Sequence, residues 1–298
     1  MGQAFRKPAP VSMHQRNVGS GLRRFAVLLA CCTFGLVIAG ALVTSNDAAL
    51  SVPDWPFSWG RLVPTLEGGI RYEFAHRAMA FLVAILTTIL AVRMRTRLAW
   101  TALGLVLAQA LLGGAVVRFV TPAWATIGHA CLAQLYFAVV AAIVVDLYVE
   151  GGAAGGFRSP APVVAAVALF AQTILGAAVR YNVVTPVAHI AGAVVATILV
   201  MWAGLSTLMQ HMENATLRRP AMALLTITFS QVFLGIGAYM ARVAFAGAPQ
   251  PMPMVIWFTV AHVAVGSLAL GAAVALAIIV YRQPRNQAVM ANGGIAIA

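Results

Sequence analysis

The chain has 298 residues, of which 62% are hydrophobic and only 9% are charged, and its mean hydropathy is +0.92. Since an ordinary soluble domain has about one quarter charged residues, this composition excludes a soluble globular fold. The net charge of +12 does not indicate a nucleic-acid partner, because Lys and Arg cluster at the ends of apolar segments and form no basic stripe.

Eight apolar segments long enough to cross a bilayer follow one another along the chain. A spanning helix needs about 20 predominantly apolar residues. The segments lie at 25–45, 72–93, 98–118, 126–148, 161–181, 187–209, 220–241 and 255–281. The first is too long for a signal-peptide core and has no small-x-small cleavage site, so we interpret it as a retained span. The sequence therefore predicts an all-α, multi-pass membrane protein.

Basic residues in the short loops predict how the chain is oriented. Lys and Arg concentrate before the first segment, between the second and third, between the sixth and seventh, and after the eighth. Since cytoplasmic loops have the excess of Lys and Arg, both termini are predicted to be cytoplasmic, in the inner membrane of a bacterium. Residues 1–24 and 282–298 are then the cytoplasmic tails.

Internal repetition divides the chain into two halves. A Gln-x-x-x-Gly motif, followed by an Arg, occurs in the third, fifth and seventh segments: Gln109, Gly113 and Arg118; Gln172, Gly176 and Arg180; Gln231, Gly235 and Arg242. The end of the first segment, 40–46, aligns with the end of the fifth, 176–182. We predict two pseudo-symmetric four-helix bundles, 25–150 and 151–281, with glycines that allow close helix contact or admit a flat ligand.

Four of the six histidines occupy equivalent positions, a few residues into each even-numbered segment on the non-cytoplasmic side: His76, His129, His189 and His262. Imidazole groups inside a bilayer mark functional sites by default. The repeat pairs them within each half, which predicts two bis-histidine sites. Haem is favoured over a zinc or copper ion, because a bare ion needs its ligands to converge on one point, whereas a porphyrin takes axial ligands from facing helices.

The two halves differ beside the first histidine of each. Glu73, His76 and Arg77 share one helix face in the second segment, whereas 186–190 contains neither an acid nor an Arg. A carboxylate beside a haem edge is a candidate proton donor or acceptor; the alternative is an ion pair with Arg77 or an acid favoured by the helix dipole.

Several arginines lie at the same membrane face as the four histidines. Guanidinium groups bind carboxylates bidentately, so these side chains are candidate contacts for haem propionates, with interfacial snorkelling as the alternative. The candidates are Arg77, Arg118, Arg180 and Arg242.

Together these motifs resemble the haem A synthase family. The resemblance covers nearly the whole chain and is strongest at Glu73-x-x-His76-Arg77 and at Pro53-Asp54-Trp55-Pro56 in the first external loop. Many members of that family have cysteines on both sides of the second motif, where this chain has Val52 and Ser58. A thiol or disulfide step at these two positions is therefore excluded here.

The resemblance implies a reaction, a cofactor and a set of site residues. The reaction is oxidation of one ring methyl of haem O to a formyl group, which gives haem A for an aa3-type terminal oxidase. Haem B is the implied cofactor, held as metal ligands by His189 and His262. The substrate haem is then bound by His76 and His129, with Glu73 as the catalytic acid.

The implied partners are haem O, membrane lipid, haem O synthase, terminal-oxidase subunits and an electron donor that the sequence does not specify. The alternatives are a non-catalytic di-haem membrane cytochrome for electron transfer and a haem-binding subunit for oxidase assembly. The presence of Glu73 in the first half only favours the enzyme, because simple electron transfer requires no acid there.

Overall fold

The structure is a computed structural model that describes residues 19–149 and 159–282. Within these ranges the chain forms eight helices and no strand: α1 (Ser20–Ser45), α2 (Ile70–Met94), α3 (Arg97–Phe119), α4 (Ala123–Tyr148), α5 (Ala161–Arg180), α6 (Pro186–His211), α7 (Ala215–Ala244) and α8 (Pro253–Arg282). All eight are long and apolar enough to cross a membrane. The predicted all-α, multi-pass architecture is confirmed; most of both predicted tails lies outside the described residues.

The predicted helix boundaries agree with the observed ones to within five residues, and the largest differences have local causes. α1 begins at Ser20, so residues 20–24, assigned from the sequence to the tail, are helical. α7 begins before Pro220, because the Asn214 side chain accepts the Thr216 N–H and caps an extra turn. Pro220 forgoes one helical hydrogen bond inside α7 without ending it.

Each half of the chain is a closed ring of four helices. In the first ring α1 packs on α2, α2 on α3, α3 on α4 and α4 on α1; in the second, α5 packs on α6, α6 on α7, α7 on α8 and α8 on α5. The even-numbered helices of each ring therefore stand diagonally opposite each other. The rings meet where α8 packs on α1 and α4, and where α4 packs on α5. This packing is consistent with the two predicted bundles.

The apolar core of each ring lies at one end of the helices only. In the first ring it joins the start of α1 and α3 to the end of α2 and α4, with Leu29, Leu90 and Ile143 fully buried. In the second ring Leu217 and Leu276 lie in the equivalent core. The four histidines lie at the other end of both rings. Tight apolar packing thus holds each bundle at one end and leaves the histidine end for a ligand.

Among the described residues, two ion pairs connect the halves, one at each end of the bundle. Arg282 at the end of α8 pairs with Asp146 in α4. Arg180 at the end of α5 pairs with Asp47, which follows α1, at 3.1 Å. Partly exposed pairs contribute little stability individually, so we interpret them as fixing the position of one half against the other.

Candidate active site

Each of the four histidine rings lies against a glycine of the preceding odd-numbered helix. A Cβ added to Gly40, Gly113, Gly176 or Gly235 would lie 2.9–3.1 Å from the Cε1 atom of a histidine. The rings are, in the same order, those of His76, His129, His189 and His262. An ordinary van der Waals contact is longer, so any side chain at these glycines would displace the ring. The close approach predicted for the glycines of the repeat is therefore a contact with imidazole.

In the second half, the glutamine of each Gln-x-x-x-Gly motif contacts the same histidine as the glycine. Gln172 Nε2 lies 2.7 Å from the carbonyl oxygen of His189 and 2.9 Å from its ring Nδ1. Gln231 Nε2 lies 3.3 Å from His262 Nε2. The sequence shows the motif but does not by itself reveal that the glutamine contacts the histidine. The signal for it is the four-residue spacing, about one helical turn, which places the glutamine and the glycine on the same helix face. Glutamines thus help to orient both rings of the second half.

The histidine rings of the first half have fewer such contacts. Gln109 Nε2 donates to the carbonyl oxygen of His129 at 2.9 Å, and no bond to the ring is formed. α1 has Leu36 where the other odd-numbered helices have glutamine. The Nδ1 atoms of His76 and His129 are buried and have no hydrogen-bond partner among the described residues. The rings of the first half thus lack the glutamine side-chain contact that both rings of the second half have.

The second histidine pair is spaced so that both rings could hold one iron atom between them. The ring centroids of His189 and His262 are 6.2 Å apart and their planes are at 86°. An iron atom between two imidazoles, each bonded at roughly 2 Å, separates the ring centroids by about 6 Å. In the part of the chain that the structure describes, no three or more His, Cys, Asp or Glu side chains are grouped to hold a bare metal ion. The donor set fits haem iron better than zinc or copper.

Glu73 is buried in the first turn of α2, with 4% of its surface exposed. Its Oε2 accepts the Val52 N–H at 2.9 Å, and its Oε1 accepts a hydrogen bond from Arg77 one turn later. The ion pair considered as an alternative in the sequence is therefore present. The carboxylate is held in one position, three residues before His76 on the same helix face.

Arg77 connects α2 to the external loop that precedes it. Its Nη1 donates to the carbonyl oxygens of Asp54 at 2.8 Å and Phe57 at 2.9 Å. Its Nη2 donates to the carbonyl oxygen of Val52 at 3.1 Å and to Glu73. All four terminal N–H bonds are therefore used within the protein. A propionate contact at Arg77 stays a prediction, and only its Nε–H is left for it.

The other predicted propionate contacts lie near the same end of the bundle. Arg118 is exposed at the end of α3. Arg180 and Arg242 line a cavity of about 550 Å³ together with Asp47 and Thr259. Thr259 is three residues before His262, so the cavity lies about one turn beyond the second histidine pair. Asp47 already pairs with Arg180 in this cavity, and the propionate role of all three arginines stays a prediction.

The carboxylate of Asp54 closes a tight turn in the same loop. It accepts the backbone N–H groups of Trp59 and Gly60, both at 2.7 Å. The hydrogen bond from Gly60, assisted by that from Trp59, lowers the pKa of Asp54 below its ordinary value of 3.8.

We expect this turn to open in acid. Because folding lowers the pKa of Asp54, the stabilisation by its carboxylate is complete well above pH 3.8 and is lost as the pH falls through the lowered pKa. Amide hydrogen exchange, expressed as protection relative to the intrinsic rate at each pH, should show Trp59 and Gly60 losing protection in that range. In Asp54→Asn the protection should be low and independent of pH; an identical acid transition in this variant would contradict the assignment.

Comparison with known proteins supports the resemblance noted in the sequence. Residues 3–141 match the COX15-CtaA family, whose members are described as cytochrome oxidase assembly proteins. The heme A synthase of Methylobacterium radiotolerans is 33% identical over 134 residues, which covers 38% of this chain and 36% of that protein. The heme A synthase of Symbiobacterium thermophilum is 34% identical over 99 residues, which covers 33% of this chain and 29% of that protein. The matched part thus spans about a third of the length of these curated relatives.

The family match falls on the first half of the chain, whose histidine site also contains a buried carboxylate. Residues 3–141 contain the first and second histidines, the buried Glu73 and the external loop held by Arg77. The resemblance to the haem A synthase family is confirmed, and the first four-helix half of this chain is the part that matches the COX15-CtaA family.

Proposed function

We propose that the protein is a haem A synthase, an oxidoreductase that converts one ring methyl of haem O to a formyl group and so provides haem A for an aa3-type terminal oxidase. The observation that carries the proposal is the pairing of two equivalent histidine sites with a single buried carboxylate, Glu73, beside the first of them. The names of the relatives support the same reaction.

The difference between the two histidine pairs supports an assignment of one haem to each half. Haem B is assigned to His189 and His262, whose rings are contacted by glutamines and spaced as an axial pair. Haem O is assigned to His76 and His129, whose rings have no such glutamine side-chain contact: Gln109 reaches only the His129 carbonyl oxygen, and α1 has Leu36 at the equivalent position. A permanent cofactor benefits from fixed ligands, whereas a substrate must enter and leave. Haem B, when bound, supplies one-electron redox chemistry.

Glu73 is the proposed proton-transfer residue of the first site. Oxidation of a methyl to a formyl group, with water as the oxygen source and an electron acceptor to take the electrons, releases protons, and a carboxylate next to the substrate can accept them. Oε1 and Oε2 each accept a hydrogen bond, from Arg77 and Val52 respectively. Each carboxylate oxygen has a second lone pair beside the one that accepts this hydrogen bond, so either oxygen can take a proton.

The proposed location is the inner membrane of a bacterium, with both termini in the cytoplasm. Arg93 and Arg95 at the end of α2, Arg218 near the start of α7 and Arg282 at the end of α8 lie at the end of the bundle opposite the histidines. This distribution supports an external site and a cytoplasmic basic face. The proposed partners are haem O synthase, terminal-oxidase subunits and an electron donor.

The test is to identify the pigments that the protein retains. The full chain is purified from a host that also makes haem O, and the non-covalent pigments are extracted and identified by chromatography and mass. We expect haem B together with haem O, a hydroxylated intermediate or haem A. Haem B alone would indicate an electron-transfer cytochrome instead of the enzyme. A preparation without any haem would contradict both functions.

A further inference from the structure

Trp55 lies in the loop between α1 and α2 and packs against α3 at Gly114, the residue after the glycine that contacts the second histidine. A Cβ added to Gly114 would lie 2.8 Å from both Cδ2 and Cε2 of the indole, so the ring rests directly on the glycine. Gly114 is buried and follows Gly113, on which the His129 ring rests in the same manner. Adjacent helical residues differ in height by about 1.5 Å. The indole and the imidazole therefore contact α3 at nearly the same depth.

The loop that contains Trp55 is attached to α2 on both sides of the indole. Arg77 binds the carbonyl oxygens of Asp54 and Phe57, which flank the Trp55–Pro56 pair. Glu73 accepts the N–H of Val52 at the beginning of the same segment. Glu73 and Arg77, which have no counterpart beside His189, thus fix the loop segment that contains the indole.

The indole retains a free surface at this position. Trp55 is 42% exposed although Gly114 beneath it is buried. A partly exposed aromatic face, resting on the helix residue that follows the His129 contact glycine, suits stacking or edge contact with another flat ring system. The second half has no counterpart, because α5 and α6 are joined by residues 181–185 alone, too short a connection to reach back over the helices.

We propose that Trp55 is the lid and a positioning residue of the first site, where it contacts the edge of an iron tetrapyrrole bound between His76 and His129. Glu73 and Arg77 hold this lid in place, which gives Glu73 a role in addition to proton transfer. The lid keeps the tetrapyrrole in one orientation and limits access of water. The identity of the tetrapyrrole as haem O rests on the proposed function, whereas the placement of the lid does not.

The experiment compares two variants that disturb the lid with two matched controls. Trp55→Ala removes the indole, and Gly114→Ala displaces it while leaving Trp55 in the chain. The controls are Trp59→Ala in the same loop and Gly104→Ala in the same helix, where an added Cβ would meet nothing within 4 Å. Each full-length protein, with its haem B bound, is titrated with haem O and separately with haem B, and binding is followed by absorbance.

We expect both lid variants to weaken binding of the added tetrapyrrole several-fold to about tenfold, as for loss of an aromatic contact. Trp55→Phe should recover most of the affinity, and the haem B copurified with every variant should be unchanged, which shows that the bundle is folded. Unchanged affinity in Trp55→Ala and Gly114→Ala would overturn the lid. If the two lid variants bind more weakly but the wild-type protein does not oxidise haem O, the lid stands and only the proposed reaction is overturned. A wild type without a second tetrapyrrole site would overturn both.

Discussion

His189→Ala should remove haem B from the protein while leaving the eight-helix bundle intact. Its ring is one of the two proposed iron ligands of the second half, with Gln172 on its Nδ1 and Gly176 beneath it. Loss of a residue that merely supports a metal ligand already costs about 10- to 100-fold in affinity, so loss of the ligand itself should leave little haem after purification. The measurement is the ratio of haem B to protein after purification.

The controls for this prediction come from the chain itself. His211→Ala changes a histidine at the opposite end of α6 and should keep its haem B. His262→Ala should behave like His189→Ala, because the two rings form one pair with centroids 6.2 Å apart. Full retention of haem B in His189→Ala would break the assigned pairing and, with it, the assignment of the cofactor to the second half.

Glu73→Ala should stop formation of the formyl group without loss of haem B. The substitution removes the proposed proton acceptor and leaves the Val52 N–H and the Arg77 guanidinium without their carboxylate. A general acid or base contributes about 10²- to 10⁴-fold to a rate, so haem A output should fall by at least about 10²-fold. Haem A and any hydroxylated intermediate are quantified by chromatography, together with the retained haem B.

Glu73→Gln separates the two roles of this side chain. The amide oxygen can still accept the Val52 N–H and so keep the loop attached, but it cannot accept a proton at neutral pH. If proton transfer matters, Glu73→Gln should be nearly as inactive as Glu73→Ala while it binds haem O better. Wild-type activity in Glu73→Gln together with inactivity of Glu73→Ala would limit Glu73 to positioning the loop. Unchanged haem A output in both would remove it from the mechanism.

The sequence alone determined the features that depend on local pattern. Eight spans could be read from apolar length, because a backbone in lipid must satisfy its hydrogen bonds within each helix. The four histidines and their glycines were visible as a repeat, and the structure places each ring of the repeat on its glycine. Glu73, His76 and Arg77 were correctly placed on one face, since helical spacing alone sets that neighbourhood.

Only the tertiary structure decided which groups these side chains contact. Arg77 was equally compatible with a propionate and with an ion pair, and its bonds to the Asp54 and Phe57 carbonyls depend on how an irregular loop folds back over α2. Arg180 and Asp47 are 133 residues apart in the chain. Trp55, in the loop between α1 and α2, packs on Gly114 in α3. Hydropathy and periodicity describe single helices, whereas these partners are set by the packing of helices and loops on one another.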